Sequence, residues 1–300
     1  MADNKIIHSK IIEEKQQTQE TRKYLYEKLE KAYKVPVISF FTSFRHPVMI
    51  ENADADMLEN LLLKEDLSRG FVLLISSPGG DGLAAERIVN LCRSYSDTGE
   101  FDVLVAGKAK SAATMICLGS SKIIMSQSAE LGPIDPQFVE VDENGMPSQV
   151  FSAYNLIMSY KKIFEKAVQT DGKMQPYLQA LDKYDPRQIQ QFISEIELSE
   201  DIAVKSLKTG MLKNLSEEKI KKAIKIFLIP ERTKVHGRPI YYQDAQSCGL
   251  NIELIEKNNK LWPTIYELYY RLNTYVSSNK SKCIESKKQS FFTSVPKREE

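Results

Sequence analysis

The sequence lacks the features that mark a membrane span or a secretory signal. No run approaches the roughly 20 apolar residues that a helix needs to cross a bilayer. Residues 1–10 also lack the apolar core of a signal peptide. The net charge is only +1, so bulk electrostatics give no reason to expect a nucleic-acid or membrane partner. We therefore expect a cytoplasmic protein without a transmembrane segment.

Cysteine and histidine are scarce. The 4 cysteines are scattered and form no Cys-x-x-Cys pair: Cys92, Cys117, Cys248 and Cys283. This argues against a zinc site and for a reducing compartment. The chain has 3 histidines, of which His236 lies in a basic loop late in the sequence. We expect neither a metal nor an organic cofactor.

Two short runs between residues 71 and 137 repeat one strand–turn–helix pattern. In the first, consecutive apolar residues at 71–75 indicate a buried strand of a parallel sheet, and Ser-Pro-Gly-Gly at 77–80 ends it. Gly79 and Gly80 allow a sharp turn that leaves backbone N–H groups uncovered. The apolar periodicity after them indicates a helix, so this turn can bind an anion.

The second run places a hydroxyl at such a turn. A strand at 101–106 leads to Gly107, and Ser111 follows at the start of a small apolar helix over 112–118. A serine beside free N–H groups has surroundings that suit a nucleophile, because these groups can stabilise an oxyanion. The alternative is that Ser111 simply caps the following helix, since serine is a common N-cap residue.

These runs carry a resemblance to known proteins. Ser-Pro-Gly-Gly at 77–80, then a helix, a strand and Gly-x-x-x-Ser-Ala-Ala at 107–113, is similar to the ClpP/crotonase superfamily. With Leu-Gly-Pro-Ile-Asp-Pro-Gln at 131–137, the segments resemble the serine dehydrogenase proteinases, Clp-fold serine peptidases related to signal peptide peptidase SppA. The resemblance implies an α/β fold, a ClpP/crotonase-like βα spiral with a mostly parallel sheet and an added helical region.

The chain accordingly divides into four predicted segments. We expect an N-terminal helical arm at 1–34, the Clp/crotonase-fold domain at 35–256 and a C-terminal helix at 257–276. Ser, Lys and Glu dominate the last segment, 277–300, and this composition predicts a disordered tail.

The resemblance also implies a serine endopeptidase that works through an acyl-enzyme. It implies Ser111 as the nucleophile and Gly80 and Ala112 as the oxyanion donors, with Gly79 bending the chain. It further implies a peptide or protein substrate and a homo-oligomer of the trimer or hexamer type. Two alternatives remain open. One is a crotonase-like acyl-CoA enzyme without a serine nucleophile, and the other is a non-catalytic oligomeric scaffold.

The general base is where the sequence departs from the family pattern. The histidine that follows the serine in ClpP is missing, and Asp135 stands at the corresponding distance. Lys161 and Lys162 lie in the zone of the SppA lysine, but within a polar helix, where lysines are usually solvated. Asp135 could orient a base or could instead cap a backbone turn.

His236 is the remaining candidate for the base. It lies close to the position where ClpP carries its triad aspartate, just before a segment that closes the domain in Clp-fold proteins. A rearranged triad would have His236 as the base and Asp135 fixing its tautomer. A loop histidine beside Arg238 could also be an ordinary surface residue. The options are therefore His236, Lys161, Lys162 or no base at all.

Overall fold

A seven-stranded sheet forms the centre of the computed structural model, which describes residues 6–14, 17–46, 48–143, 147–229 and 237–295. The strands are β1 (Val37–Thr42), β2 (Val72–Ser76), β3 (Asp102–Val105), β4 (Lys108–Ala109), β5 (Lys122–Ser126), β6 (Glu130–Leu131), β7 (Gln137–Val141), β8 (Pro147–Ser152), β9 (Ile252–Ile255), β10 (Lys280–Glu285) and β11 (Ser290–Ser294).

Helices cover both faces of this sheet. They are α1 (Ile7–Glu13), α2 (Glu20–Tyr33), α3 (Asn52–Leu62), α4 (Gly82–Tyr95), α5 (Ala112–Leu118), α6 (Ala153–Gln169), α7 (Gln175–Leu181), α8 (Pro186–Thr209), α9 (Glu217–Ala223), α10 (Lys225–Leu228), α11 (Tyr242–Ser247) and α12 (Trp262–Val276). Among the helices of the described residues, none is both long and apolar enough to cross a membrane.

The strands follow the order β11-β10-β1-β2-β3-β5-β9. The five from β1 to β9 are parallel neighbours, whereas β10 runs antiparallel to β1 and β11 antiparallel to β10. The predicted α/β class with a mostly parallel sheet is therefore confirmed. Parallel strands need crossover connections, and α3, α4 and α5 supply them along the chain.

The run at 71–75 contains only apolar residues because β2 is buried on both faces. Leu73 and Ile75 pack into the cluster that includes residues of α3, α4 and α5. Val72 and Leu74 pack into the opposite cluster, beneath α2 and α12. Side chains of a strand alternate between faces, so only a sheet with two apolar faces removes every residue of such a run from water.

The helical region predicted after residue 150 is present as α6, α7 and α8, and β7 and β8 form a hairpin that precedes it. Phe138 of the hairpin contacts Phe192 of α8, with ring centroids 4.2 Å apart. Further along, α8 packs against α4 and α5. This long helix therefore lies close to the start of α5, where Ser111 stands.

The predicted disorder of the tail at 277–300 is wrong for its described part. The strands β10 and β11 extend the sheet beyond β1. Cys283 and Ile284 are buried, and Lys282 and Glu285 are buried with ion-pair partners. Composition misled here because these charged side chains pair inside the protein rather than facing water. The other predicted boundaries between segments stay predictions.

Glu285 connects the tail to the N-terminal helices. Arg22 of α2 donates to its carboxylate twice, from Nε to Oε1 at 2.8 Å and from Nη2 to Oε2 at 2.6 Å. Burial acts to lower the pKa of Arg22, but the hydrogen bonds to Glu285 outweigh it and raise that pKa above its ordinary value. A two-pronged pair of this kind fixes α2 and β10 relative to each other.

Candidate active site

The glycine turn after β2 is held on one side by Ile50. The Ile50 N–H donates to the Gly79 carbonyl at 2.8 Å, and the Ile50 carbonyl accepts from the Asp81 N–H at 2.9 Å. The trans peptide between Gly79 and Gly80 is planar, so its C=O and N–H point in opposite directions. Because the Gly79 carbonyl faces Ile50, the Gly80 N–H faces away from it.

Glycine is required in this turn by close backbone contacts. A Cβ at Gly80 would lie 2.3 Å from both the backbone N and O of Ile50. A Cβ at Gly79, whose φ is +113°, would lie 2.5 Å from the Cβ of Ser111. The turn is therefore packed between Ile50 on one side and Ser111 on the other.

The glycine turn follows directly on a residue that is bonded to the segment leading into Ser111. Ser77 exchanges two backbone hydrogen bonds, 3.1 and 3.0 Å long, with residues 108–110 of that segment. The Gly80 N–H donates to no atom of the described residues. Within the described chain it is an uncommitted donor of a turn that packs against Ser111.

Ser111 lies on a strained turn at the start of α5. Its φ of 50° and ψ of −122° fall outside the regions that L-residues normally occupy. Its side chain makes no capping hydrogen bond to α5, a helix that the structure describes in full. The interpretation of Ser111 as a helix cap is therefore wrong. In the described part of the chain the Ala112 N–H also has no acceptor, so it is a second free donor beside the serine.

The buried hydroxyl groups of Ser77 and Thr42 fix the Gly79 end of the turn by hydrogen bonds. Ser77 Oγ accepts from the Gly79 N–H at 3.0 Å and from Thr42 Oγ1 at 2.7 Å. The Gly79 N–H is thus used inside the protein, and of the two glycines it is Gly80 whose N–H has no acceptor in the described chain. The role of Ser77 was not predicted, although a serine two residues before an N–H is the spacing of a local side-chain turn.

Thr114 connects the Ser111 turn to the segment at 131–137. Its Oγ1 donates to the Ala109 carbonyl at 2.8 Å and accepts from the Gly132 N–H at 3.0 Å. Lys110 adds a hydrogen bond of 3.0 Å from Nζ to the Leu131 carbonyl. These contacts set the position of the Asp135 segment relative to the serine. The bond to Gly132 joins residues 18 positions apart, so no local sequence signal predicts it.

Ser111 lines a cavity of about 660 Å³ between the glycine turn, residues 134–139 and α8. Most of its lining is apolar and includes Met49, Leu83, Met115, Phe138 and Ile202. In the described part of the lining the charged residues are Asp81 and Glu195, and there is no lysine, arginine or histidine. The described lining therefore suits an apolar group and offers no cationic contact.

Asp135 is buried next to this cavity. Only 3% of it is exposed, and its Oδ2 accepts from Gln137 Nε2 at 2.7 Å. Its two chain neighbours, Ile134 and Pro136, line the cavity. The structure thus places Asp135 beside the site, on the segment that Thr114 fixes.

His236 lies outside the described residues. The described chain on either side of that gap is bonded to the Asp135 segment. Ile134 donates its N–H to the Phe227 carbonyl at 2.8 Å, and Ile240 forms an antiparallel bridge with Leu131, with both hydrogen bonds 3.0 Å long. Phe227 and Ile240 therefore both lie beside residues 131–134.

The two lysine candidates are placed differently. Lys161 and Lys162 are exposed on α6, and neither belongs to the described lining of the cavity. Within the described ranges there is also no group of His, Cys, Asp and Glu that could hold a metal ion. The groups brought together around Ser111 are thus backbone donors, apolar side chains and carboxylates.

Comparison with known families agrees with this geometry. Residues 48–168 match the family model described as ClpP-like SDH-type serine proteinase. Over this range the chain is similar to that family. The match confirms the resemblance seen in the sequence, and it covers the glycine turn, Ser111 and the Asp135 segment.

Two relatives of the chain are uncharacterized proteins of Methanocaldococcus jannaschii. The chain is 30% identical to MJ0137 over 182 residues, which are 60% of this chain and 52% of the relative. It is 24% identical to MJ1495 over 234 residues, which are 78% of this chain and 64% of the relative. The chain thus spans between about half and two thirds of the length of these curated relatives.

The backbone strain at Ser111 gives a first prediction. Both Ser111→Gly and Ser111→Ala remove the hydroxyl, but only glycine accepts a φ of 50° without strain. We expect Ser111→Gly to have the higher free energy of unfolding, by about 1 kcal/mol, in urea denaturation.

The matched control is Ser94, an exposed serine inside α4. There the order should reverse, because glycine destabilises a helix interior relative to alanine. An alanine variant as stable as the glycine variant at position 111 would show that the turn is not strained.

Proposed function

We propose that this chain, whose residues 48–168 match a family of serine proteinases, is an endopeptidase that forms an acyl-enzyme on Ser111. One observation carries the proposal. A strained serine without a capping role lines a cavity beside two backbone N–H groups that have no acceptor among the described residues. Backbone strain of this kind costs roughly 1–3 kcal/mol and is concentrated at functional sites.

The proposed reaction uses these groups in sequence. Ser111 Oγ attacks the carbonyl carbon of the scissile peptide while a base takes its proton. The oxyanion of the tetrahedral intermediate accepts hydrogen bonds from the Gly80 and Ala112 N–H groups. The proton then passes to the leaving amine, and water hydrolyses the acyl-enzyme by the same steps in reverse order.

We propose His236 as the base and Asp135 as the residue that orients it. The support is that Asp135 is buried beside the cavity, while Ile240, four residues beyond His236, is bonded to the same segment. A neutral imidazole accepts a proton near pH 7, and a carboxylate can fix its tautomer. The exposure of Lys161 and Lys162 on α6 speaks against a lysine base.

The two alternatives have less support. A coenzyme A thioester carries phosphates, which cationic side chains normally bind. The described cavity lining offers Asp81 and Glu195 instead. A purely structural scaffold gives no reason for a strained serine in the lining of a cavity.

Other parts of the proposal rest on the resemblance. We propose a homo-oligomer of the trimer or hexamer type and a cytoplasmic location. The substrate is a peptide or protein, and the apolar lining around Met115, Phe138 and Ile202 favours segments with apolar side chains.

Covalent labelling tests the nucleophile. A fluorophosphonate probe should label the wild-type protein, and peptide mapping should place the adduct on Ser111. Ser111→Ala should abolish labelling and lower peptide hydrolysis by roughly 10⁶-fold, since removing the attacking group usually has an effect of this size.

Ser199→Ala is the matched control, because Ser199 of α8 lines the same cavity. It should leave labelling within about twofold of the wild type, since a bystander hydroxyl does not attack the probe. Hydrolysis that survives in a clean Ser111→Ala preparation would exclude the proposed nucleophile.

Mutation and pH together test the base. His236→Gln should remove activity, and wild-type activity should fall as the pH drops through about 6–7, because a protonated imidazole cannot accept the serine proton. The double variant Lys161→Met/Lys162→Met is the control and should keep wild-type activity and the same pH profile. Full activity in His236→Gln would rule out the rearranged triad.

A further inference from the structure

We propose that Lys282 of β10 is a positioning residue for the oxyanion hole. The inference rests on the proposed acyl-enzyme at Ser111 and deepens it. It assigns a role to the C-terminal hairpin, which lies outside the matched range 48–168.

Lys282 is a buried cation with a buried partner. Its side chain is 4% exposed, and its Nζ lies 2.9 Å from each carboxylate oxygen of Asp54, which is fully buried. Nζ also contacts Glu51 Oε1 at 2.6 Å. Burial raises the pKa of Asp54 above its ordinary value, and the hydrogen bonds from Lys282 act against this rise. Lys282 therefore favours the charged form of this buried carboxylate.

Asp54 and Glu51 together hold the first turn of α3. The Glu51 N–H donates to Asp54 Oδ2 at 2.8 Å, and the Asp54 N–H donates to the Glu51 carbonyl at 2.9 Å. The bond from the Glu51 N–H to the Asp54 carboxylate is the half of a capping box in which the N3 side chain reaches back to the N-cap, and it fixes the backbone at the helix entry. The residue directly before Glu51 in the chain is Ile50.

Ile50 in turn sets the direction of the Gly80 N–H. Its own N–H binds the Gly79 carbonyl, which belongs to the same planar peptide as the Gly80 N–H. A shift of Ile50 would let this peptide rotate, since glycine tolerates many backbone angles. Lys282 binds Asp54, Asp54 binds the Glu51 N–H, and Ile50 precedes Glu51 in the chain. Ile50 in turn binds the peptide that carries the proposed oxyanion donor.

A buried carboxylate left without its cation would disturb this arrangement. Removing one partner of a buried ion pair leaves an uncompensated charge, and the remaining group then moves towards water or takes up a proton. Either response at Asp54 would loosen the entry of α3 and with it Ile50. Stabilisation of the transition state, which needs the Gly80 N–H, should therefore weaken more than substrate affinity does.

The test compares Lys282→Met with Lys282→Arg in the full-length protein. Peptide hydrolysis and inhibition by a peptide boronic acid are measured well below each variant's melting temperature. We expect Lys282→Met to lower kcat by roughly 10–100-fold, with KM within about twofold of the wild-type value. Affinity for the boronic acid, whose tetrahedral adduct needs the oxyanion hole, should fall by a similar factor. Lys282→Arg keeps the charge and should recover most of both.

Lys280→Met is the matched control. Lys280 lies on the same strand, but its Nζ binds Ser294 of β11 and not α3. It should leave kcat and boronic acid affinity unchanged. If Lys282→Met does not fold, the same measurements are made on Asp54→Asn. This variant keeps the shape of the side chain and removes the negative charge to which Lys282 binds. It should show the same selective loss of kcat.

The outcomes separate this inference from the proposed function. The first outcome would overturn the role of Lys282 alone. In it the wild type is labelled and active, and a folded Lys282→Met or Asp54→Asn variant keeps the wild-type kcat and boronic acid affinity. An equal loss in Lys280→Met would also overturn it, since the effect would then be general to the strand. Absence of fluorophosphonate labelling at Ser111 in the wild type would overturn both.

Discussion

The hydrogen bond from the Ile50 N–H to the Gly79 carbonyl is the contact on which the candidate site depends. It fixes one peptide plane, and that plane directs the Gly80 N–H away from Ile50. The absence of side chains at Gly79 and Gly80 allows Ile50 and Ser111 to approach from opposite sides. A free backbone donor is useful only when its direction is held, since an oxyanion is stabilised by donors that are already oriented.

Several contacts converge on keeping this arrangement in place. Ser77 Oγ accepts from the Gly79 N–H and from Thr42 Oγ1, and Thr114 ties the Ser111 turn to the Asp135 segment. The surrounding sheet supplies rigidity, because β2 is buried on both faces. The strain at Ser111 persists because this packing fixes the backbone on either side of it.

The sequence was most informative where local pattern decides structure. The apolar run at 71–75, the turn at 77–80 and the helix over 112–118 all follow from strand burial, glycine and short-range periodicity. The mostly parallel sheet followed from the alternation of strands and helices. The serine's role could not be separated from helix capping by pattern alone, because both place the same residue at the same turn. In the structure its φ is 50° and its side chain makes no capping bond to α5, and the role of nucleophile stays a proposal.

What the sequence could not show depends on partners far apart in the chain. Lys282 and Glu285 lie in a Ser- and Lys-rich tail that composition assigned to disorder. They are buried because Asp54 and Arg22, more than 200 residues earlier, neutralise them. Likewise, no local pattern at Thr114 indicates its bond to Gly132, which lies 18 residues further along the chain.

The most direct test of the account is a crystal structure of the protein with a peptide boronic acid bound. We predict a covalent bond from Ser111 Oγ to boron, with one boronate oxygen about 2.7–3.1 Å from the nitrogens of both Gly80 and Ala112. A boronate attached to Ser111 with its oxygens turned to solvent, or no adduct at Ser111, would contradict the claim that this turn is an oxyanion hole.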